Sequence, residues 1–147
     1  MSTQPDLSSR PHQLTVECTL AVSPDVVYRA WTEQFDQWFA ESGTVLMKGE
    51  IDVPFFFETH FEDQRHPHYG RFLKLVPDEL VELTWLTGNP GTLGAETVIT
   101  LELSPQNGGT SVKLTHAGFT DEKIRDGHAD AWPQALANLD ERMVEGG

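Results

Sequence analysis

The residues equipped for chemistry are few and mostly histidines. His60, His66 and His68 stand close together, with Glu58, Glu62 and Asp63 among them. Imidazoles and carboxylates are zinc ligands, but their spacing here matches no compact metal motif. No metal is expected, and the group reads as exposed side chains of a hairpin. His116 and His128 carry the side chain suited to general-base work near neutral pH. No serine, cysteine or aspartate is spaced to complete a triad with either, so no catalytic residue is assigned. Cys18 is the single cysteine, which excludes an intramolecular disulfide and a cysteine-based zinc site. It falls on an apolar strand face and reads as a packed thiol. No cofactor is implied.

Binding is a stronger theme than turnover, because the aromatic residues are patterned. Phe55, Phe57, Thr59 and Phe61 alternate with Phe56, Glu58, His60 and Glu62, which predicts a strand with one inward row of rings. The element that must face such a row is the last stretch, Asp121 to Met143. Its Ile124, His128, Ala131, Trp132, Ala135, Leu136, Leu139 and Met143 recur at helical spacing on one stripe. At about 1.5 Å per residue it is a rod on the order of 34 Å long, enough to cross a small domain. Thr120 is placed as its N-cap. Gly127 weakens it, and Pro133 cannot donate to the carbonyl of Ala129, so a kink or split is expected there.

Between these come the supporting elements. Leu14 to Val22 alternates as a half-buried strand, and Ser23-Pro24-Asp25 opens a helix with Ser23 as cap. A second short helical piece clusters Phe35, Trp38 and Phe39, and Gly43 closes it. Thr44 to Met47 is read as a short strand, free at an edge where pairing could make a homodimer. A polar hairpin from Asp63 to His68 leads into a strand from Tyr69 to Val76. Arg71 there shares the inward face of Leu73 and Leu75, unless Gly70 marks a bulge that flips it outward. An inward arginine would need a carboxylate, a ring face or an anionic ligand. Strands follow at Val81 to Thr87, Thr97 to Leu103 and Ser111 to His116, with a break at Gly88 to Gly91 and a tight reversal at Asn107-Gly108. Short connections make this an antiparallel meander.

The totals exclude whole classes. A net charge of −13 with only ten lysines and arginines opposes binding to nucleic acid or to an anionic membrane surface. No apolar run approaches the ~20 residues of a membrane span. Residues 1–12 are polar and Pro-containing, a flexible tail without the apolar core of a signal peptide. Residues 13–147 make one domain, and a cytoplasmic location is expected.

The order of elements and several local strings resemble the START-like, or helix-grip (SRPBCC), superfamily. Within it the sequence is most similar to bacterial single-domain proteins of the heat-shock-protein-90 ATPase activator (Aha-type) homologue family. The strings are Ser23-Pro24 with Val27 and Trp31 ahead of Trp38-Phe39, then Gly70 opening a strand toward Leu73, and Leu80 to Trp85. Thr110 to Phe119, with Leu114, His116 and Gly118-Phe119, is the most typical string, followed by Trp132 and Leu136. The resemblance implies an α+β helix-grip fold. In it a curved antiparallel sheet of six to seven strands wraps the long C-terminal helix, two short helices follow the first strand, and a cavity lies between sheet and helix. The eukaryotic activators carry a further N-terminal domain that engages the chaperone, for which this sequence has no room.

Function is read on that frame. The leading expectation is a binding protein for a small apolar or aromatic ligand. It would be held by Phe55, Phe57, Phe61, Leu83, Trp85, Ile99, Leu101, Trp132 and Leu136, with Arg71 and His128 among the polar groups. Thr59, Thr87 and Thr97 are further polar candidates. The alternative is a protein-interaction or co-chaperone-like module, marked by an outward apolar patch that includes Phe56, Leu86 or Val98. A cyclase- or hydrolase-like enzyme using the same cavity comes third. The chain is expected to be a monomer or a homodimer.

Overall fold

The computed structural model describes residues 5–61, 64–88 and 92–146, without the side chains of 61, 145 and 146. The side chain expected of Phe61, the turn at Glu62-Asp63, the loop tip Asn89-Pro90-Gly91 and the first four residues of the tail lie outside the described residues.

Six strands form one antiparallel sheet in the order β1-β6-β5-β4-β3-β2. They are β1 (His12–Leu20), β2 (Pro54–Phe61), β3 (Gln64–Val76), β4 (Leu80–Thr87), β5 (Thr97–Gln106) and β6 (Gly109–Phe119). Helix α1 (Pro24–Thr32) and a 3-10 turn (Phe35–Gln37) follow β1, and α2 (Glu122–Gly146) ends the chain. From β2 to β6 each strand pairs with the next in sequence, as short reversals require. Asn107 and Gly108 both take positive φ in the β5–β6 turn, the geometry an Asn-Gly hairpin supplies. This is the helix-grip arrangement, a curved sheet in which β1 returns to pair with β6 and β1 and β2 form the two ends.

Register fixes which side chains point inward. Val16, Leu114 and Leu101 align across β1, β6 and β5, as do Leu14, His116 and Ile99. On the other limb Phe57, His68 and Thr87 align across β2, β3 and β4. Gly70 lies opposite Phe55, and a Cβ there would fall 2.3 Å from the Thr84 carbonyl oxygen and 2.6 Å from Phe55 Cζ. Only glycine lets the Phe55 ring lie flat over β3.

The core under α2 is filled largely by the short helical pieces. α1 and the 3-10 turn set Trp31, Phe35 and Trp38 onto the sheet, where Phe35 stacks on Phe57 at 4.9 Å. Trp38 Nε1 donates to the Ala30 carbonyl at 2.8 Å. α2 packs along β1 and reaches β6. Asp140 accepts from the Ala21 N–H at 2.9 Å, and Asn138 Nδ2 donates to the Trp38 carbonyl.

Several local expectations are corrected. α2 runs through Pro133 as one helix, neither split nor broken. Its cap is Asp121, whose carboxylate accepts the Ile124 N–H at 2.8 Å, rather than Thr120. Ser23 holds the α1 N-cap position as expected, but it makes no side-chain capping bond, its hydroxyl being turned to Asp25. Thr44 to Met47 is not a strand. It holds one bridge, Leu46 to Phe56, that partly covers the β2 edge. The stretch from Gln64 to His68 is strand rather than hairpin loop. Of the tail, Arg10 is anchored: its guanidinium donates to the Gly118 and Glu96 carbonyls at 2.7 and 2.9 Å.

Candidate functional site: a histidine-lined aromatic pocket

A pocket of about 380 Å³ opens between the β2–β4 limb of the sheet and the middle of α2. Phe39, Trp85 and Trp132 make its aromatic wall, and Ala131 and Ala135 form the α2 side. Thr59, Pro67, His66, His68, Thr87, Gly88 and His128 complete it, with Gln64 and Arg65 exposed at the rim. The two alanines, one helical turn apart beside Trp132, leave room that larger residues would close.

Three of the rings expected from sequence thus line the pocket: Trp85, Trp132 and the imidazole of His128. Phe55, Phe57, Leu83, Ile99, Leu101 and Leu136 do not. They are buried core beneath the wall, because α1 and the 3-10 turn occupy the volume they would otherwise face. Arg71, whose face the sequence left open between inward and a bulge-flipped outward position, takes the outward one. β3 carries a bulge at Leu73, with Phe72 opposite Leu83 and Lys74 opposite Glu82. Counting alternation back from Leu73 therefore lands on the wrong face. Arg71 turns to the outer side, 3.1 Å from Asp52 Oδ1 and 3.6 Å from Glu96 Oε2. Thr97 is inward but fully buried. Phe39, His68, Ala131 and Ala135 were absent from the expected site. The α2 apolar stripe carried a signal for the alanines, and His68 had one in its place opposite Phe57.

The three inward histidines are held differently. Trp132 Nε1 donates to His116 Nδ1 at 3.0 Å, which leaves the His116 proton on Nε2. That N–H donates to Thr97 Oγ1 at 2.7 Å, and the Thr97 hydroxyl donates to the Trp85 carbonyl. Every hydrogen-bonding atom of the His116 ring is paired inside the protein. Burial holds its basicity well below the ordinary histidine value.

His68 stacks on Phe57 at 4.8 Å and meets Trp85 edge-on at 5.1 Å. Its Nδ1–H donates to the His66 carbonyl at 2.9 Å, so Nε2 is a lone-pair acceptor. Burial pushes its pKa down to about 4. His128 has the same habit on α2, donating from Nδ1 to the Ile124 carbonyl at 3.0 Å, and burial lowers its pKa too. At neutral pH both are uncharged acceptors. His60 projects from the opposite face of the sheet toward Glu41 and Glu58, so it shares no centre with His68.

The cation nearest the pocket is engaged. Arg65 makes a forked pair with Glu58, at 2.9 Å to each carboxylate oxygen. These hydrogen bonds hold the Glu58 carboxyl below its usual pKa. Thr87 Oγ1 accepts the Thr92 N–H at 2.8 Å, and the Thr92 hydroxyl donates to the Thr87 carbonyl at 3.1 Å, fastening the loop after β4. Among the described residues the lining offers threonine hydroxyls and imidazole nitrogens as its side-chain hydrogen-bonding groups nearest the rings.

The model of the family described as "Activator of Hsp90 ATPase homolog 1-like protein" matches residues 21–143. No curated protein matches the chain. Among solved structures, protein CV1439 from Chromobacterium violaceum is 23% identical, with 89% of this chain and 96% of that one covered and a TM-score of 0.76. Protein MLL2253 from Mesorhizobium loti is 19% identical, covering 92% and 99%, with a TM-score of 0.77. A solution structure titled as the Aha1 dimer from Colwellia psychrerythraea is 17% identical, covering 90% and 96%, with a TM-score of 0.64. At such identities the likeness is one of fold.

Proposed function

The chain belongs to the activator of Hsp90 ATPase homolog 1-like family, and we propose that it binds a small apolar or aromatic ligand between the sheet and α2. The observation that carries this reading is the pocket itself. Rings from three separate elements converge there with uncharged imidazole acceptors, and alanines keep the helix side open. Such a mostly apolar recess with a few convergent polar groups is the common form of a small-molecule site. Native mass spectrometry of gently purified protein is the test. Retention of a small organic mass, absent from Ala135→Phe, supports the reading. A bare mass, with no rise in melting temperature on adding bicyclic aromatics, counts against it.

A second reading has its own observation. On the outer face Leu46 bridges Phe56, the Phe56 and Tyr69 rings lie 5.3 Å apart, and Tyr69 pairs with Leu86. Leu46 is 70% exposed and Tyr69 47%. This apolar row beside the β2 edge suits contact with a second copy of the chain. The Colwellia psychrerythraea structure, that of an Aha1 dimer, lends support. Sedimentation should then show a concentration-dependent dimer that Tyr69→Glu abolishes; a monomer at every concentration removes this reading.

A further inference from the structure

We propose that the pocket selects an uncharged aromatic ligand that donates hydrogen bonds, of the phenol class, and discriminates against aromatic carboxylates. This rests on the reading of the pocket as a ligand site. The selecting atoms are Nε2 of His68 and Nε2 of His128. Each ring has its Nδ1–H committed to a backbone carbonyl, of His66 and Ile124 respectively. The tautomer is thereby set, and Nε2 is left as a bare acceptor. Neither Nε2 bonds to any described residue, and both rings line the recess.

The complement of two lone pairs is a donor hydrogen. A phenolic O–H satisfies one of them while its ring lies against the Trp85 and Trp132 wall. A carboxylate does the reverse, bringing only lone pairs to atoms that are themselves acceptors. Among the described lining residues the one arginine or lysine, Arg65, is already forked onto Glu58, so it does not offset that charge. The chain's net charge of −13 adds a general repulsion of anions. The Trp132 indole N–H is unavailable to such a ligand because His116 holds it.

The decisive comparison uses three probes of one shape: 2-naphthol, naphthalene and 2-naphthoate, titrated into the full chain by calorimetry at neutral pH. The expected order is 2-naphthol tightest, about ten-fold better than naphthalene, as one added hydrogen bond provides, and 2-naphthoate weakest. In His68→Phe and His128→Phe, the ratio of naphthol to naphthalene affinity should fall toward one. Equal binding of naphthol and naphthalene, or tighter binding of naphthoate, overturns this selection while leaving an aromatic pocket standing. Absence of binding by all three overturns both. The wild-type series decides by itself, so a poorly folding variant does not shelter the proposal.

Discussion

His116 and His68 are both buried, both held uncharged by that burial, and each meets one ring of the packed Trp85–Trp132 pair, His116 through Trp132 and His68 through Trp85. The difference lies in what remains of each ring. His116 joins α2 to the sheet through an unbroken chain from Trp132 to the Trp85 carbonyl, so its pairing is complete. Among the described residues His68 makes one bond, to its own strand, which leaves Nε2 as an acceptor on a ring that lines the pocket. A buried polar group that is fully paired stabilises and specifies a fold; one left half-paired beside a cavity marks where a partner fits. On the proposed reading, the limb β1-β6-β5 serves as scaffold and the limb β2-β3-β4 carries the site.

The largest expected effect breaks the scaffold side. Trp132→Ala removes both a buried ring and the indole donor, and should cost about 3–5 kcal/mol in chemical denaturation. His116→Phe strands the Trp132 N–H, while the Thr97 hydroxyl keeps its bond to the Trp85 carbonyl and loses only an incoming donor, a loss of about 1–3 kcal/mol. His68→Phe strands nothing comparable. It should lie within about 1 kcal/mol of wild type in stability while losing the preference for phenols.

Acid sharpens the same contrast. All three inward histidines have folded pKa values below the ordinary 6.5. The unfolded chain therefore binds more protons than the folded one at mildly acidic pH. Stability is full above pH 6.5 and is lost as pH falls toward the folded values, about 4 for His68. His68 contributes a slope of about 1.4 kcal/mol per pH unit within that window. His68→Phe should flatten the denaturation-versus-pH curve between 6.5 and 4 by one such slope. The smallest effect belongs to the outer face: Arg71→Ala loses ion pairs that are part exposed, about 0–1 kcal/mol, and leaves ligand affinity unchanged.

The helix-grip order was legible because its signals are local: alternation in β2 and β4 to β6, the Asn107-Gly108 reversal, and the stripe along α2. The site was legible only in part. Which apolar side chain lines a pocket and which fills the core beneath it depends on what else arrives. Here Trp31, Phe35 and Trp38 arrive from elements read only as short helices. The face of Arg71 was hidden by one extra residue at Leu73, which inverts a period-two count. Pro133 suggested a kink or a split, yet the helix is not split there: the missing donor costs one bond in a helix held by packing along its length.

The most direct measurement is the ring-nitrogen NMR spectrum of the six histidines, recorded before and after adding 2-naphthol. Signals of His68 and His128 should show Nδ1 protonated and Nε2 bare in the free protein. On binding, at least one of those Nε2 resonances should move toward the hydrogen-bonded position while His116 stays fixed. Movement of His116 alone, or no movement at His68 and His128 under saturating naphthol, would contradict the division of this fold into a closed scaffold and an open site.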